Sequence, residues 1–266
     1  MEWTSENVKH LNSLTKFPSI FQPWAAVKEG KRPHFIGDLL TSELSQQVFT
    51  VTEKIDGVNA RIVFTEDGWF LGGRNELLCY SGDVLSWEQN HILEVVRPVA
   101  ERLTAGLVPA QSVLFQHPGV FAVFGEVYGG GIQKRYRGQE RRFRIFAARW
   151  CPWDVSPNPQ IWRQTSDGFG GESIFPGYHE GNVAQRFAED YGLESVPILD
   201  TVACDFLTDP RAAYAWLKQF AASRVVDGAQ CEGVVLLGRG DYTKADDGSL
   251  QRNIYKIKFE DFPRDW

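Results

Sequence analysis

The chain has 266 residues, 43% hydrophobic, 13% aromatic and 23% charged, with a formal net charge of −6. Such a composition supports a packed core and excludes disorder as the default. The acidic total excludes a protein coated in positive charge for indiscriminate nucleic-acid binding, yet it leaves room for a local basic groove.

Cys79, Cys151, Cys204 and Cys231 have no metal-type spacing and are expected to be reduced thiols. The N-terminus lacks the apolar centre of a signal peptide, and no apolar run approaches the roughly 18–20 residues of a membrane span. The expectation is a soluble, cytoplasmic protein.

Residues 1–48, which contain Pro18, Pro23 and Pro33, read as an irregular N-terminal extension packed on a core that begins at residue 49. FTVTEKIDGVNARIVF (49–64) reads as strand, turn and strand, with β-branched residues flanking Gly57-Val58-Asn59. GWFLGGRN, from Gly68, continues the meander. Over 86–103, Ile92, Val96, Val99 and Leu103 recur at helical spacing, and Pro98 is expected to bend or divide that helix. The stretches 113–128 and 142–150 are aromatic and β-branched, hence strands. A Gly/Pro-rich loop covers 151–181. Helices follow at 182–191, with Val183, Phe187 and Tyr191 on one stripe, and at 209–222, with Trp216 and Phe220. Strands at 231–237 and 253–259 end the chain. The sum is an α+β domain rich in antiparallel sheet. Only seven residues follow Phe259, so no further domain is expected after the last strand.

Lys54-Ile55-Asp56-Gly57 places a lysine at a strand edge where the chain turns sharply beneath it. Alone, this tetrapeptide reads as a surface hairpin with a solvated lysine. It is followed in order by Asn59, by Arg74 in GGRN, by Phe124-Gly125-Glu126-Val127-Tyr128-Gly129, by Arg144-Ile145-Phe146, by Glu232-Gly233-Val234-Val235 and by Lys256-Ile257-Lys258. Lys256 and Lys258, two residues apart on a strand, project to one face. Glu126 and Glu232 both lie in apolar strands, where an unpaired carboxylate is costly, so each needs a salt bridge or a ligand.

Taken together these motifs, spanning about 50 to 259, resemble the covalent nucleotidyltransferase superfamily of polynucleotide ligases and mRNA capping enzymes, and within it the RNA ligase 2-like branch. The resemblance implies an ATP-grasp-like ligase adenylation domain over 49–266, without a C-terminal OB-fold. It implies an ATP-dependent RNA ligase of RNA repair that joins 3′-hydroxyl and 5′-phosphate ends, in a nicked duplex or a broken RNA. Lys54 would attack the α-phosphorus of ATP to form lysyl-AMP. An ordinary lysine, with pKa about 10.4, is protonated and inert at neutral pH. Lys256 and Lys258 would favour its neutral form and stabilise charge on the phosphate.

Further roles follow only from the resemblance. Glu126 would contact the ribose, and Glu126 and Glu232 would hold Mg2+ or Mn2+, with Glu232 also serving the later chemistry. Glu53, Ile55, Asn59 and Arg74 would border the nucleotide. Phe146 would stack on adenine, although Ala147 and Ala148 follow it where the family often has an acid, which keeps Phe143 as the alternative. Asp56 would orient Lys54 or touch the nucleic acid.

QKRYRGQERRFR (133–144) gathers Lys134, Arg135, Arg137, Arg141, Arg142 and Arg144, with Tyr136 and Phe143 between them. It reads as a phosphate track for RNA or as a solvated hairpin tip. Competing functional readings are a DNA ligase core, which also carries Asp56 at that motif position, a capping-type guanylyltransferase, and a degenerate RNA-binding module.

Overall fold

The computed structural model describes residues 3–17, 19–29, 32–81, 83–85, 90–107, 119–153, 183–244, 250–263 and 266. The chain forms two compact units, each built from two segments. Unit 1 comprises Met1–Pro18 and Gly57–Ser195, and unit 2 comprises Ser19–Asp56 and Val196–Trp266.

Unit 1 is organised on a six-stranded sheet of strands β4 (Val58–Thr65), β5 (Gly68–Gly73), β6 (Leu77–Tyr80), β7 (Asp83–Val84), β8 (Gly119–Tyr128) and β9 (Arg142–Pro152), in the order β7-β6-β5-β4-β8-β9. Its pairings are antiparallel. The central strands are covered on both faces, so they read as nearly continuous apolar runs rather than a clean alternation. On one face, Ile62, Phe64, Phe121 and Val123 pack with Ile92, Val96 and Leu103 of α2 (Asn90–Leu107) and Phe187 of α3 (Val183–Asp190). On the other, Leu11 and Leu14 of α1 (Ser5–Leu14) join Val63, Phe70, Phe124 and Cys151. Thr4 caps α1 by accepting from the Asn7 amide at 3.2 Å.

Unit 2 carries a four-stranded antiparallel sheet of β3 (Val48–Lys54), β10 (Ile198–Ala203), β11 (Gly233–Lys244) and β12 (Leu250–Lys258), ordered β10-β3-β11-β12. Phe49, Val51, Val234, Leu236, Tyr255 and Ile257 turn one face into a core with Trp24, Phe262 and Leu217 of α4 (Pro210–Leu217). Period-two alternation therefore assigns Thr52, Lys54, Val235, Lys256 and Lys258 to the opposite face. A hairpin of β1 (Trp24–Glu29) and β2 (Arg32–Leu39) belongs to the same unit.

The α+β class rich in antiparallel sheet agrees with the sequence reading, but several elements do not. Residues 49–64 are strand, turn and strand as expected, but the meander does not include the first of them: β3 pairs with β10 and β11, whereas β4 pairs with β5 and β8. Local β-propensity names a strand without naming its partner. The first 48 residues are not irregular, since they contain α1, the β1–β2 hairpin and a 3-10 turn at Ser42–Gln46. Pro98 does not divide α2; it is exposed, while Val96 and Ala100 on the buried stripe continue past it. Strand β10 was missed because its residues are mostly half-buried or exposed, which erases the alternation. The expected loop at 151–181 lies, beyond residue 153, outside the described residues. No described helix is long and apolar enough to cross a membrane.

Candidate active site

In unit 2 the strand register brings the predicted lysines together. Gly233 pairs with Lys54 on one side and Lys258 on the other, and Val235 likewise pairs with Thr52 and Lys256. The two rows share a face. Gly233 itself admits no side chain, because a Cβ there would collide with the Ile257 carbonyl and sit 2.7 Å from the Lys258 Cα. That close approach carries Glu232 into the lysine cluster, and the Phe259 amide donates to the Glu232 carbonyl at 3.2 Å to tie it to the end of β12.

Glu232 bridges two ammonium groups. Lys54 Nζ donates to Oε2 at 2.6 Å, and Lys258 Nζ lies 3.0 Å from Oε1. The three side chains are 12–22% exposed, so their charges are only partly screened. Lys258 also donates to Glu260 at 2.6 Å. Burial works against its charged form, but the bonds and charges of Glu260 and Glu232 outweigh it and raise its pKa to about 12. Lys256 moves the other way: burial first, then the charges of Lys258 and Lys54, lower its pKa. Crowding of ammonium groups thus acts on Lys256. Asp261 accepts from the Lys258 amide at 2.7 Å, and burial raises its pKa.

The neighbours of Lys54 in sequence point the other way. Glu53 is 2% exposed and accepts from Ser223 Oγ at 2.5 Å and the Arg224 amide at 2.7 Å, and Ile55 is buried. Asp56 is half-buried. Ser223 was not foreseen. The signal available was the parity of Glu53, an acid at a core-facing position of β3.

In unit 1 a second set of predicted residues shares one face of the six-stranded sheet. Glu126 on β8 pairs with Asn59 on β4 and with Arg144 on β9. The Asn59 Oδ1 atom is buried with no hydrogen-bond partner. Gly57 admits no side chain, since a Cβ would meet the Val127 carbonyl and lie 2.8 Å from Glu126 Cγ. Arg144 donates to Tyr128 Oη at 3.1 Å, to the Ser195 carbonyl at 2.8 Å and to Glu194 at 3.2 Å. Phe146 packs against the core that contains Phe124, on the Glu126 side, whereas Phe143 is buried in the opposite core. Of the two candidate rings, only Phe146 shares a face with Glu126.

Arg74 is exposed just beyond β5. In the basic run, Lys134 and Arg137 are exposed and Arg135 is half-buried. Arg141 pairs with Glu94 at 2.5 Å, and Arg142 with Glu140 at 3.5 Å and Glu194 at 4.0 Å. The interleaved rings are core residues rather than stacking platforms: Tyr136 is fully buried edge-on to Tyr128, and Phe143 is 8% exposed. Phe143 packs inward by its parity on β9, whereas Tyr136 does so from the turn between β8 and β9.

Among the described residues no group of three or more His, Cys, Asp or Glu side chains could hold a metal ion. Glu232 in unit 2 and Glu126 in unit 1 each offer carboxylate oxygens, the ligand type that a magnesium-type cation takes.

The family model for RNA ligase matches residues 47–258. Among solved structures, a ligand-free variant of Naegleria gruberi RNA ligase is 15% identical, with TM-score 0.48, covering 92% of this chain and 61% of that one. A variant of the same enzyme with ATP and manganese is 18% identical, with TM-score 0.46, covering 91% and 61%. Another, with AMP and manganese, is 19% identical with TM-score 0.46 and the same coverages. The chain thus spans about three fifths of the length of these solved chains. No curated protein matches it. The matched region runs from just before β3, which carries Lys54, to Lys258 at the end of β12, and on that ground the chain belongs to the RNA ligase family.

Proposed function

We propose that this chain is an ATP-dependent RNA ligase that stores AMP on Lys54 and spends it in joining a 3′-hydroxyl to a 5′-phosphate. The observation that supports this most directly is Glu232 holding Lys54 and Lys258 on its two oxygens, at 2.6 and 3.0 Å, beside Lys256. A structural ion pair needs one lysine. A nucleotidyl-transfer site needs a nucleophilic amine, a carboxylate within hydrogen-bond reach of its proton, and further cations for the phosphates.

In the first step the Lys54 amine gives up a proton, with Glu232 positioned to accept it, and attacks the α-phosphorus of ATP. The N–P bond forms as the bond to pyrophosphate breaks, leaving lysyl-AMP. Lys256 and Lys258 neutralise charge growing on the phosphate. Next, an oxygen of the RNA 5′-phosphate displaces Lys54, giving a 5′-adenylylated end. The 3′-hydroxyl then attacks that phosphate and AMP departs. A bound Mg2+ or Mn2+ would shield the triphosphate and polarise its phosphorus–oxygen bonds. Glu232 and Glu126 are the carboxylates assigned to hold it.

Asn59 and Glu126 are assigned to the ribose, Phe146 to the adenine, and Arg74 to phosphate, for which its planar multi-donor head is suited. Glu53 and Ile55 have buried side chains, so their part in nucleotide binding falls to their main chain. Asp56 and the exposed charges among Lys134, Arg135, Arg137, Arg141 and Arg142 are assigned to RNA. The adenylation domain is taken as 49–266, with 1–48 as an extension packed on it.

Incubation with α-labelled ATP and magnesium tests the reading. The expected result is an acid-labile protein adduct that pyrophosphate reverses and that Lys54→Ala abolishes. Labelling by GTP instead would indicate a capping-type enzyme. Absence of any adduct with every nucleoside triphosphate would overturn the proposal.

A further inference from the structure

We infer that Phe17, in the segment after α1, is a positioning residue of the nucleotide site that fixes the ring of Phe146; this rests on the assignment of Phe146 to the adenine. The ring of Phe17 lies 5.0 Å from that of Phe146 at an interplanar angle of 76°, and 5.1 Å from that of Phe124. Phe124 is two residues before Glu126 on β8 and shares its face, so the three rings begin about 7 Å along the strand from that carboxylate. Phe124 is 1% exposed and belongs to the core, whereas Phe17 and Phe146 are half-buried.

Phe146 needs an external support for a reason visible in the sheet. Phe124 pairs with Ala147 and Gly125 with Ile145, so Phe146 is the extra residue of a β-bulge. A bulge re-aims a side chain and leaves it outside the ladder that would otherwise set its direction. An edge-to-face contact supplies the missing constraint, because it is one of the arrangements that aromatic quadrupoles favour over a face-to-face sandwich.

Phe17 is itself held firmly. Leu11 and Leu14 of α1 are at most 1% exposed. Asn12 accepts from the fully buried Arg61 with both its carbonyl, at 3.3 Å, and its Oδ1. Arg61 lies two residues beyond Asn59 on β4, on the same face. Thr15 Oγ1 donates to the Leu11 carbonyl at 2.7 Å and closes the helix, two residues before the ring. The path from β4 through Arg61, Asn12 and Thr15 to Phe17 makes the N-terminal segment part of the adenine-facing wall. Its effect falls on base affinity and base choice, because the ring it supports is the one assigned to the adenine.

The test is the rate of lysyl-AMP formation against ATP and GTP concentration in the full chain, for Phe17→Leu, Phe17→Ala, Phe17→Tyr and Phe146→Ala. Loss of the ring contact is expected to raise KM for ATP about three- to tenfold. It should leave kcat within about twofold and narrow the preference for ATP over GTP, and Phe17→Tyr should restore the wild-type KM. Phe17→Leu keeps most of the apolar volume and decides the matter if Phe17→Ala fails to fold. Wild-type KM and selectivity in Phe17→Leu, alongside a raised KM in Phe146→Ala, overturn the inference and leave the reading of Phe146 standing. An unchanged KM in Phe146→Ala removes that reading and the inference with it. A lowered kcat at constant KM also overturns the inference.

Discussion

Glu232 receives an ammonium group on each of its oxygens, and its charge is shared between the residue proposed to react and one proposed to bind phosphate. Partly buried pairs of this kind are costly to break, because removing one partner leaves the other desolvated and unpaired. The pKa shifts give the cluster a pH signature. Lys258 holds its proton more tightly folded than unfolded, about 12 against 10.5, so its contribution to stability is complete below pH 10.5 and drains away as pH rises towards 12. Lys256, with its proton affinity lowered, opposes this in the region below 10.5, where folding sheds its proton early. Denaturant unfolding midpoints should therefore fall more steeply for the wild type than for Lys258→Met between about pH 10.5 and 12. Parallel slopes would remove the Glu232–Lys258–Glu260 network as a stabilising feature. Lys256 and Lys258 were legible as a pair because their spacing along β12 sets their face. That Glu53 turns into the core toward Ser223, while its neighbour Lys54 does not, follows from parity on the same strand.

At the level of elements, the row of Lys54, Gly233 and Lys258 depends on how closely β11 and β12 approach. Gly233→Ala would press a methyl group onto the Ile257 carbonyl, and neither that backbone nor the Lys258 Cα can yield without disturbing the pairing. The substitution should destabilise the protein by about 1–3 kcal/mol, lower adduct formation at least in proportion to the displacement of Lys258, and leave the α1 region intact. Hydrogen exchange of β11 and β12 amides reads the first effect, and wild-type exchange there would show that the glycine is dispensable. The element most fully missed, α1, had left a trace: Thr4 as an N-cap before Val8, Leu11 and Leu14 at helical spacing. Three prolines elsewhere in residues 1–48 masked it. Pro98 misled in the opposite sense, since burial of Ile92, Val96, Ala100 and Leu103 outweighs the hydrogen bond it removes.

For the molecule as a whole, each unit takes one segment from the N-terminal part of the chain and one from beyond it, and the passage into unit 1 falls at Asp56–Gly57. Strand β3 lies between β10 and β11. A chain lacking residues 1–56 should therefore lose protection of β10 and β11 amides, because both would surrender their shared neighbour. Retained protection at β11 would mean that the pair β11–β12 holds without it. Composition, strand and helix periodicity and the order of short motifs were sufficient to name the α+β class, the RNA ligase resemblance and the lysines and carboxylates of the candidate site, since all of these are properties of residues near one another in sequence or of residue type. Which sheet each strand joins, that Glu232 is the residue linking Lys54 to Lys258, that Phe146 rather than Phe143 shares a face with Glu126, and that Phe17 reaches it, were decided only in three dimensions. Those facts depend on register, bulges and contacts across more than a hundred residues of chain, and hydrophobic patterning specifies the face a residue takes without specifying the strand it will meet.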